Sequence, residues 1–420
     1  MNDSPNDTDT DSSNEVPHGL ADSLHPETVV APVWREVPIQ FTGQGKLYFR
    51  IWYVNLLLTL VTLGFYYPWA KAKRLRFFHS NTMLEGQPFE FHGDPKIMFR
   101  GYLIGLVLFI AYSVSANFAP VFHWSLILVF VAIYPLLVRS SRRFYMANTS
   151  WRGLKFQFTG SAKQAFLCYL PLIIGVAAWV LALFFVADLV SEPTEQASSA
   201  EKVRYLIGLS VAAPVSLAVW FWVNYRMVAY LQGHLAWGSL QSRFIGRWQA
   251  VVGYQIKTGL VYFGGVVLMF APFIFFAVVV SLSADPSAPI MPKFAFGLSI
   301  LMGLLFTVSV VALLSFVSAY YQSRKQNVIW NNTVHPHLRF VSDLRCKRLW
   351  LLRMKNWLLM VLTLGLYSPY AAMAIAKLRL ESVTLETTLD FDQMLALGGR
   401  LKANVVGDAV TDIFDIDVGF

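Results

Sequence analysis

Six long runs without a single Asp, Glu, Lys or Arg constrain this chain more than any other feature. They are Gly101–Ala119, Pro120–Val138, Gln164–Ala187, Tyr205–Tyr225, Gly259–Leu282 and Phe294–Ser323. A helix needs about 20 apolar residues to cross the hydrocarbon of a bilayer. Inside the hydrocarbon no water satisfies the backbone, so such a run folds as a helix. Composition agrees. Charged residues are 14% of the chain, against about 25% in soluble proteins. That excludes an ordinary soluble enzyme and a disordered regulator.

The links between the runs sort by charge. Those at 117–123, 188–204 and 282–293 have only Lys202, Arg204 and Lys293 as bases, beside Asp188, Glu192, Glu195, Glu201 and Asp285. The others carry Lys71, Lys73, Arg74 and Arg76, then Arg139, Arg142 and Arg143, then Arg226, Arg243 and Arg247, then Arg324, Lys325, Arg345, Lys347 and Arg348. Fifteen bases against three predict that the basic links face the cytoplasm. Nucleic-acid binding is not expected, because no base-stacking or groove-reading motif accompanies the charge.

Both ends are acidic. Residues 1–46 hold eight acids and two bases, and 378–420 hold eight acids and three bases. This leaves 29 bases against nine acids in 47–377. The first 34 residues hold no Lys or Arg, so no secretory leader is expected. The chain divides into a disordered acidic tail at 1–40, a membrane domain at 41–377 and an acidic tail at 378–420. Cys168 and Cys346 form no CxxC and are expected to be reduced.

Two further apolar segments, Leu47–Tyr66 and Asn356–Ala376, have bases on both flanks. Length suits a span; the flanking bases suit a re-entrant or interfacial segment. They share a motif. NLLLTLVTLGFYYPWA at 55–70 matches NWLLMVLTLGLYSPYA at 356–371. Asn55, Thr62, Gly64, Tyr66 and Pro68 recur as Asn356, Thr363, Gly365, Tyr367 and Pro369. Gly and Pro interrupt helical bonding, and paired interrupted helices point to a transport site. The simpler alternative is that Pro marks a helix end at the headgroups, with Tyr66 and Trp69 as interfacial aromatics.

A second repeat is a loop. RFFHSNTMLEGQPFEFHGDPKIMFRGYL at 76–103 and RFYMANTSWRGLKFQFTGSAKQAFLCYL at 143–170 are identical at 12 of 28 positions. The shared residues include Arg76/Arg143, Asn81/Asn148, Thr82/Thr149, Gly86/Gly153, Phe89/Phe156, Phe91/Phe158 and Gly93/Gly160. Fainter echoes stand at 237–246 and 331–340. Turn residues at Gly86 and Gly153 predict short hairpins. Alternation places Phe89 with Phe91, and Phe156 with Phe158, on one strand face. The hairpins would form a basic collar at the lipid headgroups.

The TLG-x-Y-x-P-W-A run followed by R-x-F-x-x-N-T-x-x-x-G-x-x-F-x-F-x-G resembles the YjgN-like family of bacterial inner-membrane proteins, a domain of unknown function. The resemblance is clearest over 40–170 and recurs, eroded, at 338–392. It implies a bacterial inner-membrane location and no assigned activity. The second copy departs from the first: Lys71 becomes Ala372, and Asn81-Thr82 becomes Ser382-Val383.

Catalytic signals are absent from the sequence. No phosphate loop, GxGxxG, GxSxG or HExxH occurs. His335 and His337 beside His79 and His92 would make a metal site only if the loops converge, and no metal or cofactor is expected. No charged residue lies at mid-depth of the six runs, which argues against a buried proton relay.

The expectation is therefore an all-α polytopic membrane protein. It has six transmembrane helices, two TLG-x-Y-x-P membrane segments and hairpin-like cytoplasmic loops. The first functional reading is a small-solute transporter or channel built on the paired broken helices. The alternative is a non-enzymatic scaffold whose basic aromatic loops bind anionic lipid headgroups or a partner.

Overall fold

Eleven short strands lie between the helices and join into a single antiparallel sheet in the order β7-β6-β5-β4-β3-β2-β1-β11-β10-β9-β8. The computed structural model describes residues 33–118, 120–184, 199–238, 240–283 and 292–393. The disordered tail expected over 1–32, and the acidic stretch from 394 onward, lie outside them.

The elements fall into five strand–helix–helix–strand units. The first is β1 (Arg35–Phe41), α1 (Gly45–Val61), α2 (Tyr67–Ser80) and β2 (Thr82–Leu84). The second is β3 (Gln87–Phe91), α3 (Pro95–Phe118), α4 (Pro120–Ala147) and β4 (Thr149–Trp151). The third is β5 (Leu154–Phe158), α5 (Ala162–Tyr169), α6 (Leu172–Phe184), α7 (Ser199–Gly233) and β6 (Leu235–Trp237), followed by β7 (Leu240–Gln241). The fourth is β8 (Arg243–Phe244), α8 (Trp248–Ser283), α9 (Pro292–Asn331) and β9 (Thr333–His335). The fifth is β10 (Leu338–Ser342), α10 (Cys346–Leu362), α11 (Ser368–Leu380) and β11 (Val383–Thr387).

Within each unit the first and last strands pair with each other. Antiparallel pairing then forces every helical pair to leave and re-enter the sheet at one edge. The tight turns, at Glu85-Gly86, Arg152-Gly153 and Pro336-His337, line the other edge. β1 pairs with β11 and brings the two ends of the membrane domain together, Arg35 opposite Thr387. Both predicted acidic tails thus contribute a strand.

The sheet curls until its ends are one residue apart. β7 pairs with β6 and β8 pairs with β9, and only Ser242 separates β7 from β8. Ser242 N–H donates to the Leu235 carbonyl at 2.7 Å, and Ile245 N–H to the Asn332 carbonyl at 2.9 Å. The chain changes partner at this serine. Strands of two to seven residues are too short to stand alone as hairpins. Near-closure pairs the edges that isolated hairpins would leave exposed.

These findings correct two expectations. The protein is not all-α, because the loop hairpins are segments of one nearly closed sheet. Nor are there six firm spans. Five helices among the described residues are long and apolar enough to cross a membrane: Pro95–Ser115, Ala162–Ala182, Leu206–Gly233, Trp248–Ile274 and Ile300–Asn331. The sixth run, Pro120–Val138, belongs to α4. α4 carries Pro135 inside the helix and is not among those five.

The sheet encloses its own core. Val37, Leu84, Trp151, Trp237, Leu385 and Phe391 are buried together, with Phe89 and Phe156 packed on them. The five apolar helices bury little of their surface within the chain, between 0% and 22% of each span. They present apolar side chains outward, as lipid-facing helices do.

Candidate functional site

The TLG motif makes a turn, not a broken span. α1 is 17 residues and α2 is 14, and between them the chain reverses and returns to the sheet. α10 and α11 do the same. Reversal uses two left-handed residues in succession, Leu63 at φ 50° and Gly64 at φ 93°, and likewise Leu364 at 51° and Gly365 at 89°. Glycine is favoured there because a Cβ is strained at such φ.

Thr62 and Tyr66 close the turn. Thr62 Oγ1 donates to the Leu58 carbonyl at 2.7 Å and accepts the Tyr66 N–H at 3.0 Å. Gly64 N–H reaches back to Thr59 O at 2.7 Å. Every N–H from Thr62 to Tyr67 has an acceptor within the turn. The second copy repeats this: Thr363 Oγ1 bonds Leu359 O and Tyr367 N–H, and Gly365 N–H bonds Met360 O. Pro68 and Pro369 fall in the first turn of α2 and α11, where a helix has no use for the missing donor. The tips are bare and apolar, with Leu63 88% and Leu364 94% exposed.

Pairing of β1 with β11 makes the two TLG hairpins neighbours. The Phe49 and Tyr370 rings lie 5.7 Å apart, and a Cβ on Gly45 would come within 2.6 Å of Tyr370. α1 therefore packs tightly on α11. Asn55 and Asn356 are buried at equivalent places inside the hairpins. Asn356 Nδ2 donates to the Ala371 carbonyl at 3.4 Å, tying α10 to α11. The Oδ1 atoms of both asparagines have no hydrogen-bond partner among the described residues.

The loop motif has a physical explanation at each position. Asn81 and Thr82 follow α2 and bond the carbonyls of Phe77 and Phe78. Asn148 and Thr149 do so for Phe144 and Tyr145, and Asn332 and Thr333 for Val328 and Ile329. The last carbonyls of a helix have no intrahelical donor, and here side chains supply it. The next feature is a tie across the base of each hairpin. The N–H groups of Thr42, His92, Thr159, Ile245 and Asp343 donate to the carbonyls of Asn81, Asn148, His234, Asn332 and Ser382, at 2.8–3.0 Å.

In F-x-F-x-G the two aromatics sit at different heights on one face. Phe89 and Phe156 pack in the ring core. Phe91 packs with Ala72, Met98 and Phe144 at the helix edge, and Phe158 with Ala165, Cys168 and Tyr230. The glycine follows from the second aromatic. A Cβ on Gly93 would meet the Phe91 ring at 2.5 Å, and one on Gly160 would meet Phe158 at 2.6 Å. Gly86 and Gly153 lie at φ 72° and 75° in the turns, each preceded by a left-handed residue, Glu85 or Arg152. Two left-handed residues in a row match the twist of a tight hairpin.

The bases gather where helices meet the sheet. Arg76 donates to Gly93 O at 3.0 Å and Arg139 to Gly160 O at 2.8 Å, so each locks one unit to the next. Arg143 occupies the place matching Arg76, in the last turns of α4. Arg353 bonds Ser318 and Gln322, and Arg379 bonds Gln326. These partners are neutral oxygens.

At the turn edge the pairing is ionic instead. Arg152 reaches Glu85 at 3.0 Å and Asp392 at 2.7 Å, and Arg35 reaches Glu85 at 2.5 Å. Sequence reasoning missed this network, together with Trp151 and Phe391. The available signal was the Arg-Gly turn dipeptide at 152–153 and the aromatic in the acidic stretch LDFD.

His335 and His337 lie side by side, with ring centroids 5.9 Å apart, while His79 meets Tyr145, His92 meets Ser150 and His337 also meets Thr388. Among the described residues no three His, Cys, Asp or Glu side chains cluster as metal ligands.

Comparison with known proteins agrees with this architecture at the level of location. The chain is 32% identical over 144 residues to Inner membrane protein YjgN of Salmonella typhimurium, covering 34% of this chain and 36% of that protein. It is 27% identical over 203 residues to Inner membrane protein YjgN of Escherichia coli O157:H7, covering 47% and 50%. The Escherichia coli K12 protein of that name matches at 27% over 203 residues. The chain thus aligns with at most half the length of these relatives. No solved structure matches. With five helices fit to cross a bilayer, it is an integral inner-membrane protein. A family model described as bacterial protein of unknown function (DUF898) matches residues 36–413, and the chain belongs to that family.

Proposed function

We propose that the protein is a non-enzymatic membrane scaffold. It holds a nearly closed β-ring against the cytoplasmic leaflet and grips anionic headgroups with the basic helix ends beneath the ring. The carrying observation is that all five helical pairs join the ring at one edge, where Arg76, Arg353 and Arg379 bond neutral oxygens and no carboxylate among the described residues. Those are sites where phosphates supply the missing negative charge. The TLG hairpins, each built of one helix about 25 Å long and one of about 20 Å, enter the leaflet partway with their apolar tips leading and return.

The transport reading asked for freed backbone groups at Gly64 and Pro68 opening on a space between the two hairpins. The bonded N–H groups of the turn and the Gly45–Tyr370 packing favour the scaffold instead. The test is reconstitution of the full chain in vesicles of mixed phosphatidylglycerol and phosphatidylcholine. Lipid isolated with the protein in polymer-bounded discs should be enriched in phosphatidylglycerol. Efflux of small anions, cations and sugars should match empty vesicles. Solute efflux above empty vesicles without lipid enrichment would overturn the scaffold in favour of a transporter.

A further inference from the structure

A cleft of about 550 Å³ opens where α1, α2 and β3 meet, at the helix edge of the ring. Lys73, Arg76 and Phe77 line it from α2, Ile51 from α1, Glu90 from β3 and His92 from just beyond it. Residues three and four apart share a helix face, so α2 offers two cations and an aromatic on one side.

The cations have no carboxylate partner among the described residues. Lys73 Nζ donates to the Tyr66 hydroxyl at 2.7 Å, and Arg76 Nη2 to the Gly93 carbonyl at 3.0 Å. Glu90 is turned to β4 and its own strand, with Ser150 Oγ at 3.4 Å and His92 Nε2 at 3.3 Å. With one carboxylate against two cations, the cleft carries a net positive charge. Its other component is apolar. From Ile51 an exposed face of α1 continues through Val54, Leu58 and Val61 toward the hairpin tip. The three- and four-residue spacing keeps these side chains in one stripe.

We infer that this cleft binds a phospholipid of net negative charge, with its phosphate between Lys73 and Arg76 and an acyl chain along Ile51, Val54 and Leu58. The inference rests on the scaffold reading for the depth of the helix edge in the leaflet. Charge complementarity selects the ligand. A phosphodiester accepts charge-assisted bonds from both cations. A choline headgroup adds an ammonium of its own and leaves the cleft's net charge uncompensated. The stripe selects an amphiphile over free phosphate.

The test is native mass spectrometry of the full chain released from micelles containing phosphatidylglycerol or phosphatidylcholine. The parent should retain phosphatidylglycerol several-fold more than phosphatidylcholine. Lys73→Gln with Arg76→Gln should lower that retention by at least about tenfold, since two charge-assisted bonds are lost. Ile51→Trp fills the apolar floor without changing charge and should lower retention as well. Arg243→Gln with Arg247→Gln, on another part of the collar, should leave it unchanged.

Equal retention by parent and both cleft variants, with phosphatidylglycerol enrichment in discs intact, overturns the cleft and leaves the scaffold. Loss of enrichment in the parent overturns both. Equal retention of phosphatidylethanolamine overturns the anionic selectivity, and displacement of lipid by inorganic phosphate overturns the amphiphile in favour of the free ion.

Discussion

The ring of Phe391 meets that of Trp151 edge-on, with centroids 4.9 Å apart and planes at 77°. Both side chains are almost wholly buried in the centre of the sheet, at 1% and 2% exposure. Phe391 lies beyond β11, in the stretch the charge pattern marks as tail. It caps a core assembled from the first, second, third and fifth units. Arg152, stacked 5.1 Å over Trp151 and paired with Asp392, holds the capping segment from its charged side.

Phe391→Ala should therefore destabilise the ring by about 3–5 kcal/mol, the cost of emptying a buried aromatic site. Tryptophan fluorescence during thermal unfolding in detergent reads this directly. A shift of no more than a degree or so would mean that the segment only rests on the ring.

The TLG turn depends on one hydroxyl. Thr62→Val keeps the shape but removes the acceptor of the Tyr66 N–H and leaves that donor unpaired. The expected loss is about 1–3 kcal/mol, while Thr62→Ser should be close to neutral. Thr363→Val should behave alike in the second hairpin. Equal stability of the Val and Ser variants would show that water satisfies the donor and that the turn lies outside the hydrocarbon.

Gly93→Ala drives a methyl into the Phe91 ring, and overpacking of this kind costs about 1–3 kcal/mol. Pairing it with Phe91→Leu should recover part of the loss, because the clash and the ring are one interaction. A double-mutant cycle with no coupling would refute the packing origin of F-x-G.

His79 makes the pH prediction. It ends α2 at the sheet, outside the spanning helices, and burial pulls its imidazole below the ordinary value. The neutral ring donates from Nδ1 to Leu75 O and accepts the Tyr145 hydroxyl at Nε2. A depressed folded pKa means that the unfolded chain binds the proton more readily. Stability is then full above the unfolded value of about 6.5 and falls as pH drops through it toward the folded value. Between about pH 7.5 and 5.5, His79→Gln should lose less stability than the parent. Chemical denaturation at both pH values tests this, and an equal loss in the two proteins contradicts it.

The sequence made the membrane class legible because a lipid-facing helix needs a long apolar run and little else. It also showed the hairpins, since Gly86, Gly153 and the alternating phenylalanines are local signals. What it hid was pairing between hairpins. The contact of Arg35 with Thr387 joins residues at opposite ends of the chain, and β8 is two residues long, too short to alternate. The TLG motif left two readings open for a related reason. Gly and Pro look alike in a broken span and in a reversal. Only the return of α2 to a strand paired with β1 separates the two, and that pairing has no sequence signature.

The central claim is that the ring's turn edge lies on the cytoplasmic side and that both TLG hairpins return to it. Single cysteines at Gly86, Gly153, His337, Leu63 and Leu364, in a chain lacking Cys168 and Cys346, test it with a membrane-impermeant thiol reagent. On whole cells none of the five should react, while a cysteine at Glu195, in an acidic link, should. After permeabilisation the three turn positions should react and the two apolar tips should remain protected. Labelling of Leu63 or Leu364 from outside intact cells, or of one turn position without the others, would contradict the ring and its single-sided attachment.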